Sequence, residues 1–107
     1  MPSAGKNDVR EDSFRVTIRT PDNIVFQGRA TSLSSINNKG PFDILPEHAN
    51  MITLIENSPI NIITDSGTRK FVFEKAVISV RDNTVSIYAN ITQNRNQNEI
   101  LDKANNS

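Results

Sequence analysis

The sequence predicts an all-β protein: a small β-sandwich of about ten short strands, with a flexible tail at each end. Apolar and polar residues alternate with a period of two, which is typical of strands with one solvated face. Turn-forming residues recur about every 8–12 positions between short β-rich runs, as they do in sandwiches and barrels. The chain has 107 residues, which is the length of one domain, and only 36% of them are hydrophobic, so we expect a small core.

Polar residues dominate both ends of the chain. Residues 1–12 contain Pro, Ser, Gly, Asn and charged residues, so we expect a flexible N-terminal segment there. The folded β-sandwich is predicted over 13–91. Residues 92–107 are rich in Asn and Gln, and we expect a polar tail in which 98–104 can form at most a short helix.

The strands are predicted from the alternation, and each ends at turn-forming residues. In the first strand Phe14, Val16 and Ile18 alternate with polar residues, and the turn 20–23 follows it. Gly28 is predicted to mark a bulge in the second strand. After the first strand, we expect strands over 24–26, 31–36, 51–55, 60–64, 69–73, 77–80 and 85–89, with a short apolar segment at 42–45 between the second and third of these.

The apolar phase of these strands gives the predicted core. We expect the inward-facing residues to be Phe14, Val16, Ile18, Phe26, Ile44, Ile52, Leu54, Val85 and Ile87. The aromatic residues fall mostly on the same phases, so we interpret them as core residues and not as platforms on which bases stack.

Charge and composition argue against several classes of function. The 12 basic and 12 acidic residues give a net charge of zero, which argues against nucleic-acid binding. With no Cys and one His, we expect no disulfide, no metal site and no cofactor. The apolar runs are far shorter than the roughly 18 residues of a spanning helix, and the first residues do not look like a secretory signal. We therefore expect no membrane insertion and a cytoplasmic location.

One cluster of potentially reactive side chains is a candidate catalytic site. Asp43, Glu47 and His48 offer a histidine base beside carboxylates, but no nucleophile motif accompanies them. Glu47 and His48 are neighbours in sequence, so on an extended segment they point to opposite faces. The four glycines are widely separated and form no phosphate-binding loop. The sequence therefore favours a domain that works by contact.

Three sequence blocks carry a family resemblance. Residues 40–54 read GPFDILPEHANMITL, which resembles the G-x-F-G-I-L-P-G-H-A-P-x-x-T-x-L signature of the F-type ATP synthase epsilon subunit. Residues 20–26, TPDNIVF, resemble its first hairpin, T-P-D-G-x-V-F/Y. Residues 80–90, VRDNTVSIYAN, resemble its closing hairpin, E-V-R-D-N-x-V-x-V-L-A-D. The blocks occur in the order of the family, so the resemblance covers about 14–90.

This resemblance implies a function and a set of contact residues. It implies a non-catalytic subunit of the central stalk, peripheral on the inner face of the energy-coupling membrane, whose β-sandwich couples the gamma subunit to the membrane c-ring. The positions that match the c-ring-facing loop are Asn38, Lys39, Gly40, Pro41 and Asp43. The positions that match the gamma-facing flank are Thr20, His48, Met51 and Thr53.

The chain also departs from the family pattern. Asp43 and Glu47 stand where the pattern has glycine, and Asn50 stands where it has proline. The residues that follow Asn90 are too few for the C-terminal helical hairpin of the family, which needs about 40–50 residues to form two packed helices. Because that hairpin carries the ATP contacts of the family where they exist, we expect no tight nucleotide binding.

Two alternatives stay open at this point. The chain can be a free-standing, epsilon-like module that binds proteins elsewhere and acts as a homo-oligomer, because a fold does not determine a function. In the second alternative, His48 is a structural residue that bonds a backbone carbonyl in a turn, and it does not contact gamma.

Overall fold

A computed structural model describes residues 12–90 of the chain. Within this range the chain forms nine strands and confirms the all-β prediction. They are β1 (Phe14–Arg19), β2 (Ile24–Ala30), β3 (Ser32–Asn37), β4 (Gly40–Ile44), β5 (Met51–Glu56), β6 (Pro59–Thr64), β7 (Gly67–Val72), β8 (Lys75–Arg81) and β9 (Thr84–Ala89). The predicted N-terminal segment, except for its last residue, and the predicted tail 92–107 with its short helix at 98–104 lie outside the described residues.

The strands form two sheets. One has five strands in the order β2-β1-β9-β8-β5, and the other has four in the order β4-β3-β6-β7. Strands β1 and β9 are parallel, with Val16 opposite Val85, and the other paired strands are antiparallel. Among residues 12–90, the strands at the edges are therefore β2 and β5 in the first sheet, and β4 and β7 in the second.

Strand β3 crosses the five-stranded sheet from one edge to the other. It begins beside the end of β2, where the Thr31 amide donates to the Ile63 carbonyl over 2.8 Å, and its last residue, Asn37, reaches Thr53 on β5. Four strand spacings amount to about 19 Å, close to the length of a six-residue strand. The strands of the two sheets therefore cross at a steep angle, as in orthogonal sandwiches. This crossing brings the β3–β4 turn to the edge formed by β5.

The core lies between the two sheets. The structure confirms the burial predicted for Phe14, Val16, Ile18, Ile44, Val85 and Ile87. Phe26 is partly buried against this core, and its ring packs edge to face with Phe71 at a centroid distance of 5.8 Å. The largest core side chains that the prediction did not include are Leu33, Ile55, Ile60, Ile62 and Ile78.

The predicted register of β5 is wrong. Ile52 and Leu54, which we expected to face inward, are 76% and 46% exposed, whereas Ile55 is buried. The cause is the pairing with β8, in which Ile55 lies opposite Ala76 and Thr53 lies opposite Ile78. Since β8 turns Ala76 and Ile78 into the core, their partners on β5 face the core too, and Ile52 and Leu54 face outward.

The bulge predicted at Gly28 is also misplaced. Gly28 pairs regularly with Val16, and the register shift of the β1–β2 pair lies between Ile18 and Arg19. Gly28 faces inward, where the Phe26 ring would lie 3.5 Å from a Cβ atom at this position. The glycine thus lies beneath an aromatic ring and does not mark an irregularity of the strand.

Two isoleucines on β5, one exposed and one buried, test the observed register. We expect Ile55→Ala to lower the free energy of unfolding by about 2–5 kcal/mol, because it leaves a cavity in the core. Ile52→Ala removes a side chain that is mostly in water, and its effect should stay within about 0.5 kcal/mol. Urea unfolding of both variants measures the difference. A larger loss for Ile52→Ala than for Ile55→Ala would contradict the register.

Candidate docking surface

The β3–β4 turn is held in shape by the side chain that precedes it. The Asn37 Oδ1 atom accepts a hydrogen bond of 2.9 Å from the Lys39 amide. Gly40 closes the turn with φ of 120°, a conformation that residues with a Cβ atom rarely adopt. Asn38 and Lys39 are exposed at the tip. The turn therefore presents a cation on a fixed backbone.

The outer face of strand β4 continues this surface. Pro41 lies opposite Ile36 on β3, and both side chains are exposed. Asp43 lies opposite Ser34 on the same face. The five residues predicted from the c-ring-facing loop thus share one hairpin. Ile36, which the sequence analysis did not include, adds an apolar side chain beside Pro41.

The Asn37 side chain also joins this hairpin to strand β5. Its Nδ2 atom donates a hydrogen bond of 3.0 Å to the Thr53 Oγ1 atom, and this bond is partly buried. One amide group therefore fixes the turn through its oxygen and the edge strand of the other sheet through its nitrogen. Asn37 was not predicted as a site residue, because only the crossing of the two sheets brings it to β5.

His48 lies in the loop that leads into β5. Its backbone amide donates to the Leu45 carbonyl over 3.1 Å, and its Nδ1 atom lies 2.7 Å from the Ala49 carbonyl oxygen. The ring is half-buried. The contact between Nδ1 and the Ala49 carbonyl is of the kind expected for a structural histidine, while the exposed part of the ring remains accessible to a partner.

The neighbouring residues tie this loop to the β8–β9 turn. The Glu47 amide donates to Asn83 Oδ1 over 2.7 Å, and the Asp82 amide donates to Asn50 Oδ1 over 3.1 Å. Asp82 and Asn83 have φ of 52° and 60°, as in a type I′ hairpin turn. His48 and the start of β5 are thus fixed from two sides.

The predicted gamma-facing residues do not form one group. Met51 and Thr53 are half-buried on the inward face of β5, at one edge of the sheet, and His48 precedes them. Thr20 follows β1, which is separated from β5 by two strands, and it lies at the other end of the sheet. There its hydroxyl accepts a 3.2 Å hydrogen bond from the Asn23 amide.

The outward face of β5 carries apolar residues that the predicted site did not include. Ile52 and Leu54 are both exposed, and a groove of about 270 Å³ runs beside Leu54. The groove is lined by Ile36, Asn37, Asn38, Leu54, Glu56 and Ser58. The sequence signal for this surface is the presence of apolar residues on both phases of β5. A strand buried on only one face does not need them.

The described residues contain no group of three or more His, Asp or Glu side chains that could hold a metal ion. No helix long and apolar enough to cross a membrane occurs between residues 12 and 90. The hairpin and β5 together offer a fixed polar turn, an edge strand and exposed apolar side chains. Exposed apolar side chains that lie together are a feature of contact with another protein.

Comparison with known proteins identifies the family. The model of the ATP synthase delta/epsilon chain β-sandwich domain matches residues 13–94. The chain belongs to this family. An ATP synthase epsilon chain from Endomicrobium trichonymphae is 32% identical over 78 residues, covering 73% of this chain and 56% of that relative. One from Clostridium botulinum strain Eklund 17B is 32% identical over 79 residues, covering 73% of this chain and 59% of the relative. The match thus spans less than three fifths of the length of these relatives.

Solved structures share the fold. A chain of the Euglena gracilis mitochondrial ATP synthase, solved as an OSCP/F1/c-ring assembly, superposes with a TM-score of 0.68 at 16% identity, covering 83% of this chain and 58% of that chain. A chain of the Tetrahymena thermophila mitochondrial ATP synthase central stalk and c-ring gives a TM-score of 0.62 at 16% identity, with coverages of 91% and 85%.

The two positions where the family pattern has glycine differ in backbone conformation. Glu47 has φ of 66°, in the left-handed region, whereas Asp43 lies inside strand β4. We expect Glu47→Gly to raise the free energy of unfolding by about 0.5–1 kcal/mol, because it relieves this strain. Asp43→Gly should lower it by about 0.5–1 kcal/mol, because glycine weakens a strand. Chemical denaturation distinguishes them, and stabilisation by Asp43→Gly but not Glu47→Gly would contradict the assigned backbone.

The bond between Asn37 and Thr53 can be measured by a double-mutant cycle. We expect Asn37→Ala and Thr53→Val to be non-additive by about 0.5–1.5 kcal/mol in the free energy of unfolding, since either change removes the same bond. Ser35→Ala serves as the control partner for Thr53→Val, because the Ser35 hydroxyl bonds the Pro59 carbonyl instead. Full additivity of the Asn37 and Thr53 changes would mean that the bond contributes nothing.

Proposed function

We propose that this chain is the β-sandwich part of an epsilon subunit of an F-type ATP synthase, and that it couples the gamma subunit to the c-ring. Its family and the names of its relatives support the assignment to this enzyme. In this proposal the subunit is a peripheral part of the central stalk. It has no catalytic residue, and its contribution is mechanical.

The observation that carries the proposal is the position of Asn37 between the two candidate partner surfaces. Its side chain bonds the Lys39 amide in the β3–β4 turn and the Thr53 hydroxyl on β5. A subunit that transmits torque between two partners must not deform between the two surfaces that contact them. A direct bond between those surfaces, within two hydrogen-bonded sheets, meets this requirement without a flexible linker.

The β3–β4 hairpin is the proposed c-ring surface. Its tip carries Asn38 and Lys39, both exposed, and Gly40, Pro41 and Asp43 follow on β4. The c-ring loops of this family are expected to be polar and acidic. A lysine on a rigid turn fits such a partner, and it acts at the rim of the contact, in water.

The proposed gamma surface is the flank formed by His48 and β5. Met51 and Thr53 lie on the inward side of the strand, and we add Ile52 and Leu54, which are exposed on the outward side, to the proposed contacts. Thr20 is left out of this surface because of its distance from β5. Co-purification of the chain with the gamma subunit tests the assignment. Failure to bind gamma would overturn it and favour a free-standing module.

His48→Ala separates two roles of the histidine. If His48 is an interface residue, the free energy of unfolding should hold while the affinity for gamma falls. If the bond to the Ala49 carbonyl is its main role, the free energy of unfolding should fall by about 1–2 kcal/mol and the affinity for gamma should be unchanged. We expect the first result. Paired measurements by thermal unfolding and calorimetric titration of gamma decide between the two.

Lys39→Glu tests the proposed c-ring surface. A rim charge contributes only about 0–1 kcal/mol to affinity, but it affects the association rate at low salt. We expect Lys39→Glu to slow docking onto isolated c-rings at low salt. The defect should shrink near 0.5 M salt, where the Debye length is about 4 Å.

The matched control is Lys70→Glu, which changes an exposed lysine on β7. It should leave docking unchanged at every salt concentration, and neither substitution should alter the stability of the free domain. Equal effects of the two substitutions would show that net charge, and not the β3–β4 turn, governs the encounter.

A further inference from the structure

Within the part of the chain that the structure describes, four strands lie at sheet edges, and they differ in how well they are protected against pairing with another strand. Natural edge strands usually carry charges, proline or an irregularity that prevents such pairing. Strand β2 carries Arg29 and a register shift, β4 contains Pro41, and β7 carries Arg69 and Lys70. Strand β5 has no proline and no glycine, and its single charged residue, Glu56, is its last. It is the edge best suited to accept a further strand.

The surroundings of the β5 edge favour an added strand. Ile52 and Leu54 stand exposed on its outward face, ready to pack against apolar side chains of a neighbouring strand. The groove beside Leu54 is bounded across from it by Ile36 and Asn38 of the β3–β4 hairpin. An extended segment that pairs with β5 would thus find the apolar side chains of Ile52 and Leu54 and, beside Leu54, a groove with a second wall.

We propose that the free edge of β5 accepts a single extended strand of the gamma subunit, which adds to the five-stranded sheet through main-chain hydrogen bonds. This inference rests on the proposed function and specifies how the gamma surface works. The added strand should present apolar residues at alternate positions, next to Ile52 and Leu54. Glu56 is the charged residue among those that line the groove, so a Lys or Arg of the added strand fits there.

A second copy of this chain fits the edge less well than a single strand does. Asn37 already lies at β5, and Asn38, which follows it, lines the groove beside Leu54. If two copies joined their β5 edges into one continuous sheet, the four-stranded sheet of the other copy would occupy that space. A lone strand needs only the edge itself.

Hydrogen exchange of the full chain, free and bound to the gamma subunit, tests the proposal. We expect the amides of Met51–Glu56 to exchange at least tenfold more slowly in the complex, and those of Gly67–Val72 on β7 to be unchanged. Ile52→Lys and Leu54→Lys should each weaken gamma binding at least tenfold. The matched control is Val72→Lys, at an exposed valine on the β7 edge, which should leave binding unchanged.

Several results would overturn the proposal. Binding of gamma without slower exchange in β5 would leave the proposed function intact but exclude strand addition. Protection of β5 in the free chain that grows with concentration would identify a second copy as the occupant. Protection in the free chain that disappears on truncation after Gln93 would identify the chain's own C-terminal residues. Absence of gamma binding would overturn the proposed function and this inference together.

Discussion

The hydrogen bond from the Asn37 amide to the Thr53 hydroxyl joins the two sheets where the two proposed partner surfaces meet. Its presence requires three features of the fold. Strand β3 must cross the five-stranded sheet at a steep angle, β5 must turn Thr53 inward, and the β3–β4 turn must follow Asn37 directly. If any of these changed, the turn and the edge strand would become separate surfaces connected only through the core.

The inward position of Thr53 also determines what β5 presents to solvent. Because the side chains of a strand alternate, Thr53 inside means Ile52 and Leu54 outside. The half-buried Thr53 hydroxyl accepts a hydrogen bond from Asn37, and two large apolar residues are left exposed. This arrangement leaves apolar side chains in water. It becomes useful if another protein covers the edge, which is why the unprotected edge and the apolar face support the same proposed surface.

The sequence predicted the features that depend on local chemistry and missed those that depend on pairing. Alternation identified β1 and its buried residues, and Asp82 and Asn83 marked the hairpin turn. Strand β5 has apolar residues on both phases, so alternation could not choose its buried face. That choice comes from β8, twenty-odd residues further along the chain. Asn37 and Ile36 could not be assigned to a site for a similar reason, since the crossing of the sheets determines their neighbours. The residues taken from the c-ring-facing loop are close in sequence and share one hairpin, whereas Thr20 was grouped with residues at the far edge of the sheet.

In the proposed function, one rigid domain holds two partners at once. The most direct test immobilises c-rings and measures retention of the gamma subunit with and without this chain. We expect c-rings to retain much more gamma when the chain is present, and Asn37→Ala to reduce this bridging more than it reduces binding to either partner alone. Equal retention of gamma in the presence and absence of the chain, with the chain bound to only one partner at a time, would contradict the proposed coupling.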